Sequence, residues 1–138
     1  MLSQLMRLHD ELREAITHLA IVVRQPTLDK DAVSSARLRL TKLSRQRRSF
    51  IQCTLLPSLH DVGPQEAQRI NQFVLEAAGL AVASSEHIAR WTMAAISADW
   101  TGYQLASAEM RASMLKRIRL EAAILYPILE ARARQEAA

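Results

Sequence analysis

The sequence has a single cysteine, Cys53, in 138 residues, so it can form no internal disulfide and has no thiol pair for a zinc knuckle or a redox dithiol. Glycine and proline are scarce, at 3 and 4 residues, and a β-sandwich or barrel needs more turns than these can supply. Aromatic residues are 4% of the chain, which leaves the core to Leu, Ile, Val, Met and Ala, mostly good helix formers. No apolar run reaches the ~20 residues of a membrane-spanning helix. Near the start, Arg7, His9, Asp10, Glu11, Arg13 and Glu14 interrupt the pattern of a secretory leader. The expected setting is therefore cytoplasmic, where a lone thiol stays reduced. Phosphate-binding glycine loops, Ser-His-Asp signatures and Cys-His pairs are also missing, so no enzymatic activity is expected.

What is present fits a folded chain: 49% of residues are hydrophobic and 23% charged. The length suits one domain, residues 1–138. Apolar residues recur at steps of three and four through Leu2, Leu5, Leu12, Ile16, Leu19 and Val23, which predicts a first helix ending near Gln25, just before Pro26. A second helix is predicted from about Asp29 to Leu56, with Val33, Ala36, Leu40, Leu43 and Phe50 inward and Pro57 closing it. Pro64 suits the first turn of a third helix, running through Ile70, Phe73, Ala77, Leu80 and Trp91 to about Ile96, with its last turn in Ser97–Gly102. A fourth helix carries Met110, Met114, Leu120, Ile124 and Ile128, with Pro127 near its end. Short connections favour antiparallel neighbours, so the expected architecture is all-α, an up-down-up-down four-helix bundle. A faint internal repeat, RRSFIQCTLLP (Arg47–Pro57) against RIRLEAAILYP (Arg117–Pro127), suggests two similar helical hairpins.

The informative residues are polar ones standing on apolar faces. His9 lies at the inward spacing between Leu5 and Leu12, and Arg47 falls within the apolar arc of the second helix. Arg117 and Glu121 are one turn apart and can pair. Glu76 lies a turn from Phe73 and Leu80, at the edge of the third helix's buried side. Counting from the turns puts His9, Arg47 and Glu76 at similar heights. If the fourth helix aligns with them, His9, Arg47, Glu76, Arg117 and Glu121 form an internal polar cluster. Such charges must be paired, neutralised or wet. Three arrangements follow: arginines that snorkel to the surface, an internal Arg–Glu network, or an anion- or ligand-binding pocket lined by Arg47 and Arg117.

The other candidates read as ordinary. His87, a turn from Trp91, is expected to be a packed histidine, and His18 and His60 surface residues; Cys53 has no partner for nucleophilic chemistry. The net charge is +4, and from Ala32 to His60 Arg37, Arg39, Lys42, Arg45, Arg47 and Arg48 face no acidic residue in sequence. On the helical wheel all but Arg47 point outward, as a solvated cationic face. No aromatic residues interleave with them, so nucleic acid is not the expected partner. Trp100, Tyr103 and the Ala-rich third helix could present an apolar patch to a second copy of the chain.

Leu8, His9 and Leu12, together with helices ending in Leu-Leu-Pro (Leu55–Pro57) and Leu-Tyr-Pro (Leu125–Pro127), resemble the hemerythrin-like cation-binding domain in order and length. That resemblance implies a four-helix bundle holding a non-haem di-iron centre on histidines and carboxylates, including a His-x-x-x-Glu ahead of each proline ending. In this chain those positions are Arg47 and Ile51 ahead of Pro57, and Arg117 and Glu121 ahead of Pro127. The third-helix histidine falls at or near Glu76. His9, Glu76 and Glu121 are then the only matched donors, with His87 as a further one, and two guanidiniums stand where metal would. The expected protein is a degenerate member without a cofactor: a non-enzymatic binding or regulatory module acting on a protein or small-molecule partner. The alternative is a sensor of oxygen or redox state using non-haem iron on His9, Glu76 and Glu121.

Overall fold

The computed structural model describes residues 1–138, and every regular element is helical. Helix α1 spans Leu2–Val23 and buries Leu5, Leu8, Leu12, Ile16, Leu19 and Val23, the three- and four-residue spacing read from the sequence. After the Pro26 turn, the Asp29 carboxylate accepts the Ala32 N–H at 3.1 Å and starts α2, Lys30–Phe50. A π-helical segment, Ile51–Leu55, follows without a break and leads into a single turn, α3, Leu56–Ser58.

The π segment has a cause visible in the burial pattern. Along α2 the inward residues Val33, Ala36 and Leu40 follow the usual helical steps, but from Arg47 onward Ile51, Leu55 and Leu59 are buried at strict steps of four. A step of four overshoots the 3.6-residue turn, so an unbroken α-helix would rotate these side chains progressively out of the core. The wider i→i+5 turn absorbs the excess and keeps all four on one face.

Helix α4 spans Pro64–Arg90, with proline in its first turn. The third helix expected to continue to about Ile96 instead ends at Trp91, whose ring turns into the core. Two side-chain caps follow in quick succession. Thr92 Oγ1 accepts the Ala95 N–H at 3.2 Å and starts α5, Met93–Ala98. Asp99 Oδ1 then accepts the Gly102 N–H at 2.9 Å and starts α6, Trp100–Ala137. Ser97–Gly102 is therefore shared between the end of one helix and the start of another rather than being the last turn of the third. Gly102 is required by this cap, since a Cβ there would collide with the Asp99 carboxylate. Helix α6 runs unbroken through Pro127.

Helix α1 packs against α2 and α6, α4 packs against α6, and α5 bridges α6 and α2. The first turn of α6 also closes the end of α1: Gln104 Nε2 donates to the Val23 carbonyl at 2.8 Å and Trp100 Nε1 to that of Gln25 at 3.1 Å. These bonds satisfy acceptors that the end of a helix leaves open. Trp100 is thereby half-buried and Tyr103 fully buried, so Tyr103 joins no surface patch, contrary to the sequence reading.

The core is in two parts. One lies around Leu12, Leu19, Leu40, Trp91, Tyr103 and Ile118, the other around Leu5, Ile51, Leu55, Phe73, Leu125 and Leu129. The polar side chains of His9, Arg47 and Glu121 are buried as well. Helix α4 buries Phe73 alone, and Val74, Leu75, Val82 and Ile88 are exposed. Because α4 leans on α6 and does not pack along α2, a cleft opens between α2 and α4. No helix is long and apolar enough to cross a membrane.

Candidate functional site

Three helices supply a buried polar layer. From α1, His9 Nε2 donates to Glu121 Oε1 on α6 at 2.8 Å, and His9 Nδ1 lies 2.6 Å from the Tyr126 hydroxyl, also on α6. Burial pushes the Tyr126 phenol above its usual range, so its O–H stays available to donate. Both ring nitrogens of His9 are therefore engaged, one by a carboxylate and one by a hydroxyl.

The other carboxylate oxygen meets two cations. Glu121 Oε2 is 3.4 Å from Arg117 Nε and 3.6 Å from Arg47 Nε. These are charge-pairing distances with no hydrogen bond formed, and Arg47 Nε and Nη1, Arg117 Nε and Glu121 Oε2 are all buried without a hydrogen-bond partner. The Arg47 side chain is 2% exposed, and its one hydrogen bond is a weak one from Nη2 to Ser44 Oγ at 3.5 Å. Burial lowers its pKa to about 10, with Glu121 raising it and Arg117 and Arg48 lowering it further. It remains a cation at neutral pH, and one carboxylate faces two guanidiniums. Two guanidiniums against one carboxylate leave the layer with an excess of positive charge.

The cleft between α2 and α4 begins at this layer. One lobe measures about 580 Å³ and is lined by Arg47, Arg117, Ser44, Leu80, Met110 and Met114, among others. A second lobe of about 520 Å³ shares Ser44, Ser84, His87, Met110, Met114 and Arg117 and opens past α2. Both volumes lie in the range of small-molecule sites, roughly 300–1,000 Å³. His87 Nε2 is buried in the cleft wall without a partner. Desolvation, and secondarily the Arg37 charge, hold its imidazole below the usual range. Its ring packs 6.1 Å from that of Tyr103, as a packed histidine should.

Of the five residues expected together, the structure assembles His9, Arg47, Arg117 and Glu121 and leaves out Glu76. That side chain is exposed, because Ala77, one residue on, takes the inward position while α4 follows α6. Arg117 is 12% exposed, so neither arginine snorkels free of the interior. Arg37 also departs from the outward position read on the helical wheel. Its Nη2 donates to the Trp91 carbonyl at 2.6 Å, and its guanidinium lies over the Tyr103 ring, 5.6 Å from the centroid. It closes the C-terminus of α4, a carbonyl position that draws cations. Tyr126 was missed in the sequence, although the repeat marks it: it stands immediately before Pro127, where the other proline ending has Leu56. His18, His60 and Cys53 are exposed.

The donor set does not fit a di-iron centre. His9 and Glu121 meet, but Glu76 is on the surface, and no group of three or more His, Cys, Asp or Glu side chains is placed to hold a metal ion. Both His9 nitrogens are already engaged, and two guanidiniums flank the remaining carboxylate oxygen. A comparison with protein-family models, with curated proteins and with solved structures finds no match for this chain.

Proposed function

We propose that this chain is a non-enzymatic, cytoplasmic binding module of regulatory type, built as an up-down-up-down four-helix bundle whose seam between α2 and α4 is opened to take a small-molecule ligand. One observation carries the reading: Arg47, almost wholly buried, lines a cleft of about 580 Å³ and has Nε and Nη1 without a hydrogen-bond partner. A buried polar group without a partner costs free energy, about 1–3 kcal/mol and more when charged. A ligand that supplies the acceptor recovers that energy. The cleft walls offer the remainder of a recognition site: adaptable Met110 and Met114, apolar Leu80, and the hydroxyls of Ser44 and Ser84. The single exposed thiol, Cys53, suits a reducing compartment.

The test is a thermal-shift screen of neutral and charged small molecules against the full chain and against Ser84→Trp, which fills the shared part of the cleft. Compounds that stabilise the wild type and not the filled variant support the reading; no such compound in a broad screen overturns it. Metal analysis of protein from iron-supplemented cells runs alongside. Stoichiometric iron with an oxo-bridge absorption band would favour the iron-dependent sensor instead.

A further inference from the structure

We infer that the ligand of this cleft is an amphiphilic monocarboxylate: a single carboxylate head held by Arg47 and Arg117, with an apolar body extending along the methionines toward the opening past α2. The inference rests on the ligand-binding reading of the cleft and adds the chemistry of what binds.

The charge of the head follows from the polar layer. Arg47 and Arg117 contribute two positive charges against the single negative charge of Glu121. One negative charge balances the layer; a dianion would reverse its sign beside Glu121. The unsatisfied atoms also specify an acceptor, since Arg47 Nε and Nη1 and Arg117 Nε can only donate. Glu121 Oε2 faces the two Nε atoms, so Arg47 Nη1 is the donor left for an incoming group. A planar carboxylate matches the fork of a guanidinium.

The route is set by the two openings. The lobe that Arg47 lines carries Glu86, Asp99 and Glu109 against Arg47, Arg90 and Arg117, so its charges largely offset one another. The lobe beside α2 is lined by Arg37, Arg45, Arg48 and Arg117 and by no Asp or Glu. An anion is therefore drawn in along α2, and the basic run of that helix gains a role beyond a solvated face. The body must be apolar because Leu19, Leu40, Ala81, Ile88, Met110 and Met114 line the same lobe. A bare inorganic anion would leave that surface facing water.

The experiment titrates the full chain with sodium decanoate, decanol and inorganic phosphate, each below any aggregation threshold, reading calorimetric heat and tryptophan fluorescence, to which Trp91 and Trp100 both contribute. Decanoate is expected to bind about tenfold or more tightly than decanol, the size of effect a charge-assisted pair gives. Arg47→Met and, separately, Arg117→Gln should remove that preference, read as the ratio of decanoate to decanol affinity within each variant, with helical circular dichroism confirming that each variant folds. Should one variant unfold, the other decides. Equal binding of decanoate and decanol overturns the carboxylate assignment and leaves the ligand-binding reading standing. Phosphate binding as tightly as decanoate overturns the amphiphile. Decanoate binding that survives in Ser84→Trp lies outside the cleft and overturns the inference. Absence of binding by all three probes overturns it too, while the broad screen against Ser84→Trp still decides the ligand-binding reading.

Discussion

Arg47 Nε stands 3.6 Å from Glu121 Oε2, close enough to pair in charge and too far to share a hydrogen bond. The arrangement is one-sided in charge: Glu121 faces two guanidiniums and hydrogen-bonds His9, whereas Arg47 has Glu121 as its one anionic partner and only a weak bond to Ser44 besides. Stability and ligand binding should therefore respond oppositely to the two partners.

Removing the carboxylate strands two buried cations. Glu121→Gln is expected to destabilise the fold by about 3–5 kcal/mol, as breaking a buried ion pair does. Arg47→Met leaves Arg117 and Glu121 balanced and should be neutral or stabilising by up to about 2 kcal/mol. Urea unfolding midpoints measure both. A large loss of stability in Arg47→Met would mean that its pairing with Glu121 supports the fold.

Tyr126→Phe removes the hydroxyl at His9 Nδ1 and keeps the ring. A loss of about 1 kcal/mol is expected, the usual net worth of such a bond. The shift of the His9 ring resonances in the variant reports the same contact.

His87 sets an acid limit. Its folded-state proton affinity is held below the usual range, first by burial and then by Arg37. As pH falls, the unfolded chain takes up this proton before the folded one, so the folded state loses stability below about pH 6.5. His87→Gln should flatten that part of the profile. Thermal denaturation of both proteins between about pH 7.5 and pH 5 checks the slope, and an unchanged slope would remove His87 as its source.

The start of α6 depends on the Asp99 cap. Asp99→Ala should cost about 1 kcal/mol. Gly102→Ala should bring a similar loss despite alanine's better helix propensity, because its Cβ displaces the capping carboxylate. Gly102→Ala made in the Asp99→Ala background should instead stabilise, by about 1 kcal/mol, since only propensity remains.

The amino-acid sequence by itself determined the helical class, the inward faces of α1 and α2 and the Asp29 start, because those depend on periodicity and local hydrogen bonding. It also marked His9, Arg47, Arg117 and Glu121 as residues out of place, since a charge on an apolar stripe stands out in one dimension. The π segment was equally legible in principle, in the switch to four-residue steps at Arg47. What only the tertiary structure decided was which helix leans on which. The choice of α4 to follow α6 rather than α2 turned Glu76 to the surface and opened the cleft, and no spacing within α4 encodes that choice. The break at Trp91 likewise depends on a distant partner, Arg37, which takes the carbonyl there. Even the meaning of Arg47 waited on the fold: its charge is local, but its lack of a sufficient partner is a property of three helices meeting.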